Sequence, residues 1–144
     1  MMMIDDMIEF FLPLTKIPTV THQEQRIAVK RGKPVVYEGM GLKRARRLFL
    51  DGVAPYAPLA PWDGPIELVV KWCFPIPKSR AVPDGAWKIT KPDTDNMIKL
   101  FKDCLADAGY FVNDSRICSE INQKFFAATP GIYCLLRKLD GRGD

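Results

Sequence analysis

The sequence predicts an α+β domain, a mixed β-sheet with two helices packed on it, and three observations carry that prediction. Residues 66–74, "IELVVKWCF", alternate, so that Ile66, Leu68, Val70, Trp72 and Phe74 fall on one face and Val69 on the other. Residues 41–53 and 96–108 instead repeat their apolar residues at three-to-four spacing, as packed helices do. Short strand-like runs lie on both sides of these helices. At 144 residues the chain is most simply one domain, 1–144, long enough to bury a core.

Taken in order, "IEFFLPL" (8–14) reads as a short strand, and Pro13 places it at an edge or at a strand end. Residues 26–38, "RIAVKRGKPVVYE", read as two strands around a Lys30-Arg31-Gly32-Lys33 turn. In "GLKRARRLFLDGV", Leu42, Ala45, Phe49 and Val53 share a face, while Lys43, Arg44, Arg46 and Arg47 cover the remainder. A proline-rich connector (56–65) leads to the strand at 66–74. The loop 75–92, "PIPKSRAVPDGAWKITKP", is basic, and loops longer than ~12–15 residues in a compact domain are usually functional or disordered.

The second helix is expected from Asn96 to Ala108, with Asp95 as N-cap and Gly109 just past the C-cap, where positive φ is needed. Met97, Ile98, Leu100, Phe101, Cys104, Leu105 and Ala108 form its apolar side. "RICSEINQKFF" (116–126) alternates, with Ile117, Ile121 and Phe125 expected on one face, and "GIYCLLRKL" is the last strand. The predicted order is β-β-β-α-β-α-β-β.

Composition narrows the function classes. A hydrophobic share of 47% fits a soluble globular protein, and no apolar run approaches the ~18–20 residues that span a bilayer. The opening "MMMIDDMIEFF" carries Asp5, Asp6 and Glu9 where a signal peptide needs basic residues, so a cytoplasmic location is expected. Cys73, Cys104, Cys118 and Cys134 form no Cys-x-x-Cys pair, which argues for free thiols rather than zinc ligands. With His22 the single histidine, a Ser-His-Asp or two-histidine metal mechanism lacks material.

Charge is distributed unevenly. Arg26, Lys30, Arg31, Lys33, Lys43, Arg44, Arg46 and Arg47 stand against only Glu24 and Glu38 between residues 22 and 50. That asymmetry suits either a polyanionic partner or an ordinary solvated surface.

The chemistry gathers in "KPDTDNMIKLFKDCLADAGYFVNDSRI" (91–117), where an apolar helix begins and ends among aspartates. Asp93 and Asp95, two apart in an extended lead-in, are expected to point the same way. Lys99 and Asp103 follow at successive turns on the polar side. Asp114 comes after Tyr110–Val112, an apolar triplet that must return to the core. Carboxylates ~4 Å apart repel by about 4 kcal/mol at an effective dielectric of 20. A hard divalent cation reverses that term, and a histidine-free oxygen set suits magnesium, or manganese in its place. Helix capping by Asp95, solvation of Asp103 and Asp107, and a Lys99–Asp95 pair are the ordinary alternatives.

The same residues resemble the RusA-type Holliday junction resolvases, small endodeoxyribonucleases of bacteria and phages. That family's run of Asp-x-Asp-Asn-x-x-Lys stands here as "DTDNMIK" (93–99), followed by Asp103, "AG" at 108–109 and "NDSRI" at 113–117. The resemblance implies that Asp93, Asp95 and Asp114 hold a catalytic Mg²⁺ (or Mn²⁺), with Lys99 as the essential basic residue beside them and Asn96, Asp103 and Asn113 in support. It implies a homodimer that makes two symmetric cuts in a four-way DNA junction. The sequence departs from the family at Asn113, where a second acid is common; Asn113 keeps a carbonyl oxygen and carries no charge. A branched-DNA binding protein without catalysis is the other expectation, resting on the basic segments and on Trp87. In either case Arg26, Lys30, Arg31, Lys33, Lys43, Arg44 and Arg47 are the expected phosphate contacts, with Trp87 available to stack on bases.

Overall fold

The computed structural model describes residues 2–4, 6–19 and 25–140; His22 and Glu24 lie outside them. The elements are β1 (Met2–Ile4), β2 (Met7–Pro13), β3 (Gln25–Lys30), β4 (Lys33–Glu38), α1 (Met40–Val53), β5 (Ile66–Pro75), α2 (Thr94–Asp107), β6 (Ile117–Ala127) and β7 (Gly131–Lys138). Five strands form one sheet in the order β1-β2-β7-β5-β6, and β3 and β4 pair only with each other. The sheet is mixed. β5 and β6 run parallel and the other neighbours antiparallel.

The α+β class and the two helices are as the sequence predicts. One strand is additional: Met2–Ile4 pairs with Met7–Glu9 across a two-residue connection. Met2–Ile4 thus forms β1, which covers what would be the free edge of β2. Pro13 ends β2 opposite Gly131, so its missing N–H costs the ladder nothing further on.

Both helices pack on one face of the sheet. The alternating side chains of β5 point there, and Ile66, Leu68, Val70 and Trp72 are fully buried. Phe49 of α1, Phe101 of α2 and Trp72 meet edge-on or tilted, with ring centroids 5.4–6.2 Å apart. The expected apolar stripe of α1, Leu42, Ala45, Phe49 and Val53, is buried in full. That shared aromatic centre fixes α2 against β5, and the polar flank of α2 is where the carboxylates lie.

Candidate active-site groove

Helix α2 begins two residues before its expected start. Asp93, with φ −74° and ψ 144°, is the N-cap position, and Asp95 already lies in the first turn. The two aspartates therefore do not share an extended segment. A carboxylate in the first turn is favoured by the positive end of the helix dipole, which accounts for the earlier start. The Asp93 side chain makes no capping hydrogen bond, so its oxygens are not spent on the helix. Gly109 ends the helix at φ +90°, as expected, and the N–H groups of Gly109 and Tyr110 donate back to Ala106 and Leu105.

Beyond the helix the chain is clamped. Tyr110 is fully buried and its hydroxyl donates to the Val53 carbonyl; burial drives its pKa far upward. Trp62 exchanges backbone hydrogen bonds with Tyr110 and Val112 across Phe111. A 3₁₀ turn, Asp114–Arg116, follows, and the Asn113 side chain caps it by accepting from the Ser115 N–H at 2.8 Å. Arg116 pairs with Asp63 at 3.0 Å and ties the turn to the preceding connector.

The expectation that Ile117, Ile121 and Phe125 share a face is corrected by a register shift. Ile66 pairs with Ile117, but Glu67 pairs with Ser119, so one residue of β6 bulges. From there Ile121 lies beside Val69, on the face away from the helices, while Asn122 and Phe126 lie beside Val70 and Phe74. A bulge re-aims every later side chain of its strand. Here it turns Glu120, Asn122 and Lys124 toward α2.

Each of these three has a partner there. Glu120 pairs with Lys102 at 3.1 Å. Asn122 accepts from the indole N–H of buried Trp72 at 2.7 Å and donates to the Thr94 carbonyl at 3.0 Å. The Lys124 ammonium donates to the Thr90 and Pro92 carbonyls, the latter at 2.8 Å. Sequence reasoning did not single these residues out. The available signal was a polar side chain at every second position from 120 to 124 of a strand beside a helix.

A groove of about 530 Å³ results, lined by Asp95, Asn96, Ile98, Lys99, Lys102, Asp103, Asp114 and Glu120. Of the residues expected to act, it collects Asp95, Asn96, Lys99, Asp103 and Asp114; Asp93 sits beside it at the N-cap, and Asn113 shapes the turn that carries Asp114. Lys99 is exposed, and none of the ion pairs found among the described residues uses it. Among the described residues no three acidic, histidine or cysteine side chains stand together as a ready metal cluster. The donor set is nonetheless all oxygen and open to solvent on two walls of one groove. That fits Mg²⁺, which takes one or two protein carboxylates and keeps waters and phosphate oxygens for the rest.

The expected DNA contacts are distributed over a wider surface. Lys30, Arg31 and Lys33 are exposed at the β3–β4 turn, and Arg26 lies on β3 opposite Tyr37. Lys43 and Arg44 are exposed on α1, Arg47 pairs with Asp51 at 3.3 Å, and Arg46 approaches Asp107 at 4.0 Å. Trp87 is 65% exposed, its ring edge-on to Phe125 at 6.2 Å.

A profile of the family described as endodeoxyribonuclease RusA matches residues 17–137, which is most of the chain and all of the groove. The chain belongs to the RusA endodeoxyribonuclease family. No curated protein matches it in sequence. RusA membership makes nuclease chemistry on Holliday junctions the frame for the groove. No helix of the described residues is long and apolar enough to cross a membrane.

Proposed function

We propose that this RusA-family chain is a magnesium-dependent, structure-selective endodeoxyribonuclease that acts as a homodimer. Two copies make paired symmetric cuts in a four-way DNA junction during recombination and repair, in the cytoplasm. The observation that carries this reading is the groove, where Asp95, Lys99 and Asp114, at the family's spacings, line one cavity. Asp95 and Asp114, with Asp93 at the adjoining N-cap, would hold Mg²⁺, and Mn²⁺ would substitute for it. When bound, the ion would polarise and orient an attacking water and offset charge on the phosphate.

The protein's own groups set the stage for that chemistry. Lys99 carries an ammonium on the groove wall, one turn from Asp95, and donates to a phosphate oxygen as charge develops. Asn122 and Lys124 hold the backbone that leads into α2, so that Asp93 and Asp95 enter the groove on a fixed path. Asn113 fixes the turn bearing Asp114. Asn96 and Asp103 line the groove in supporting places. Lys30, Arg31, Lys33, Lys43, Arg44 and Arg47, with Arg26, contribute phosphate contacts that add affinity and read no bases.

A branched-DNA binding protein without catalysis is the second reading, resting on the exposed basic residues of the hairpin and α1 and on exposed Trp87. Incubation with a synthetic four-way junction, with and without Mg²⁺, separates the two. Metal-dependent, symmetric nicks support the nuclease; tight binding with intact strands under Mg²⁺ and Mn²⁺ would establish the binder.

A further inference from the structure

Among the described residues, three cations gather at the chain that leads into α2, and no ion pair gives them an acid. The Lys88 ammonium lies 5.1 Å from the ring centroids of both Phe74 and Phe126, and the Arg80 guanidinium lies 5.9 Å from that of Phe126. Thr90 links two of them: its hydroxyl accepts from Lys88 at 2.7 Å and its carbonyl accepts from Lys124. None of the ion pairs found among the described residues uses Arg80, Lys88 or Lys124. Asp84, the acid of this segment, instead accepts from the Ala128 N–H at 2.9 Å. Partial burial of Lys88, and then the charges of Lys124 and Arg80, pull its pKa below the usual lysine value.

The segment is fastened to the sheet. Gly85 and Lys88 donate backbone N–H groups to Phe126 and Lys124, and the Phe126 N–H donates to Ala86, so residues 85–88 extend the sheet along β6. Aromatic faces hold the cations by attraction to the ring quadrupole and compete little for their N–H donors. Like charges held this close are destabilising in the free protein unless an anion joins them. Lys88 precedes Asp93 by five residues (93 − 88). Extended chain of that length spans at most about 17 Å, or about five nucleotide steps of 3.4 Å along one strand.

We propose that Arg80, Lys88 and Lys124 form a seat for one backbone phosphate of the DNA strand that enters the groove, within about five nucleotides of the bond cut. The placement relative to the cut rests on the nuclease reading; the seat itself does not. Lys124 also fastens the backbone before α2, so the test uses Arg80→Ala with Lys88→Ala and leaves Lys124 in place. Binding to a four-way junction is measured in Ca²⁺ over a KCl series, with single phosphates of one strand replaced in turn by neutral methylphosphonates.

In the wild type, one methylphosphonate position should weaken binding about tenfold. In the double variant that position should lose its effect, and the slope of log affinity against log salt should become shallower by about one phosphate contact. An unchanged slope, or a methylphosphonate penalty equal in both proteins, overturns the seat. A wild type that binds the junction and never cuts it sinks the nuclease reading alone, because the scan still locates the phosphate relative to the crossover. A wild type that binds no DNA overturns both.

Discussion

The β3–β4 hairpin and the segment from Ile76 to Pro92 are both basic and turned at glycine, yet they are attached to the molecule in opposite ways. The hairpin pairs only with itself, and its cations Lys30, Arg31 and Lys33 are exposed at the tip. The segment is sewn onto β6 by backbone hydrogen bonds, and Lys124 holds its last carbonyls just before Asp93. The contrast separates charge that supplies affinity from charge and backbone that supply position. A phosphate contact on a hairpin that pairs only with itself adds binding wherever DNA lies. A contact made by the fastened segment sets where the strand sits relative to Asp93 and Asp95.

The largest expected effects lie at the end of the fastened segment. Asp93→Asn, Asp95→Asn and Asp114→Asn should each abolish cleavage while junction binding survives, because an amide keeps the shape and loses the charge. Gel assays of cleavage and binding on the same junction check this; undiminished turnover by all three would remove the metal site from these residues. Asp103→Asn should be milder, since Asp103 lies two turns, or ~12 Å, along the helix from Asp95. Lys99→Ala should slow cleavage by ~10²-fold or more, the scale of one lost transition-state contact. Lys99→Arg keeps the charge with different reach and donor geometry, so it should restore the rate only in part. A fully active alanine variant would return Lys99 to the role of a solvated surface cation.

Next in size is the fastening itself. Asn122→Ala leaves the buried Trp72 indole N–H without its acceptor and removes the side-chain donor to the Thr94 carbonyl. The expected cost is about 1–3 kcal/mol of unfolding free energy in urea, together with a lower kcat. A variant with unchanged stability and rate would show that α2 is placed by its apolar face alone.

These residues also mark what the sequence discloses and what it conceals. The strand at 66–74, the apolar stripes of both helices and the glycine at the end of α2 follow from periodicity, because burial on one face writes itself into spacing. The aspartates and Lys99 were legible as a motif. The start of α2 was not, because Asp93 and Asp95 are both plausible caps by residue type, and only the backbone shows which one is used. The bulge in β6 was hidden as well. It depends on pairing with Glu67 in another strand, and no property of residues 117–121 announces it. Since the bulge turns Glu120, Asn122 and Lys124 toward α2, one unseen register shift concealed one residue of the groove wall and two that fasten the start of α2. The 75–92 loop was recognised by its length, but its pairing with β6 is tertiary and leaves no local pattern.

The smallest expected effects come from the two basic segments, and together they test the contrast between them. Trp87, exposed on the fastened segment, is placed to stack on a base where the arms of a junction open. Trp87→Ala should lower the preference for four-way junction over duplex by about 1–3 kcal/mol, the worth of one stacked base. Lys30→Ala, Arg31→Ala and Lys33→Ala combined on the hairpin should weaken junction and duplex alike and flatten the salt dependence. The ratio between the two substrates, and kcat at saturating DNA, should stay as in the wild type. Charge reversal at Arg44 and Arg47 of α1 should follow the hairpin pattern, because those side chains are exposed on α1 and Arg47 pairs within that helix with Asp51. Titrations of both substrates at matched salt decide the outcome. If the hairpin variant changes the junction-to-duplex ratio and Trp87→Ala does not, position is supplied by the hairpin. The fastened segment would then serve only to complete the sheet.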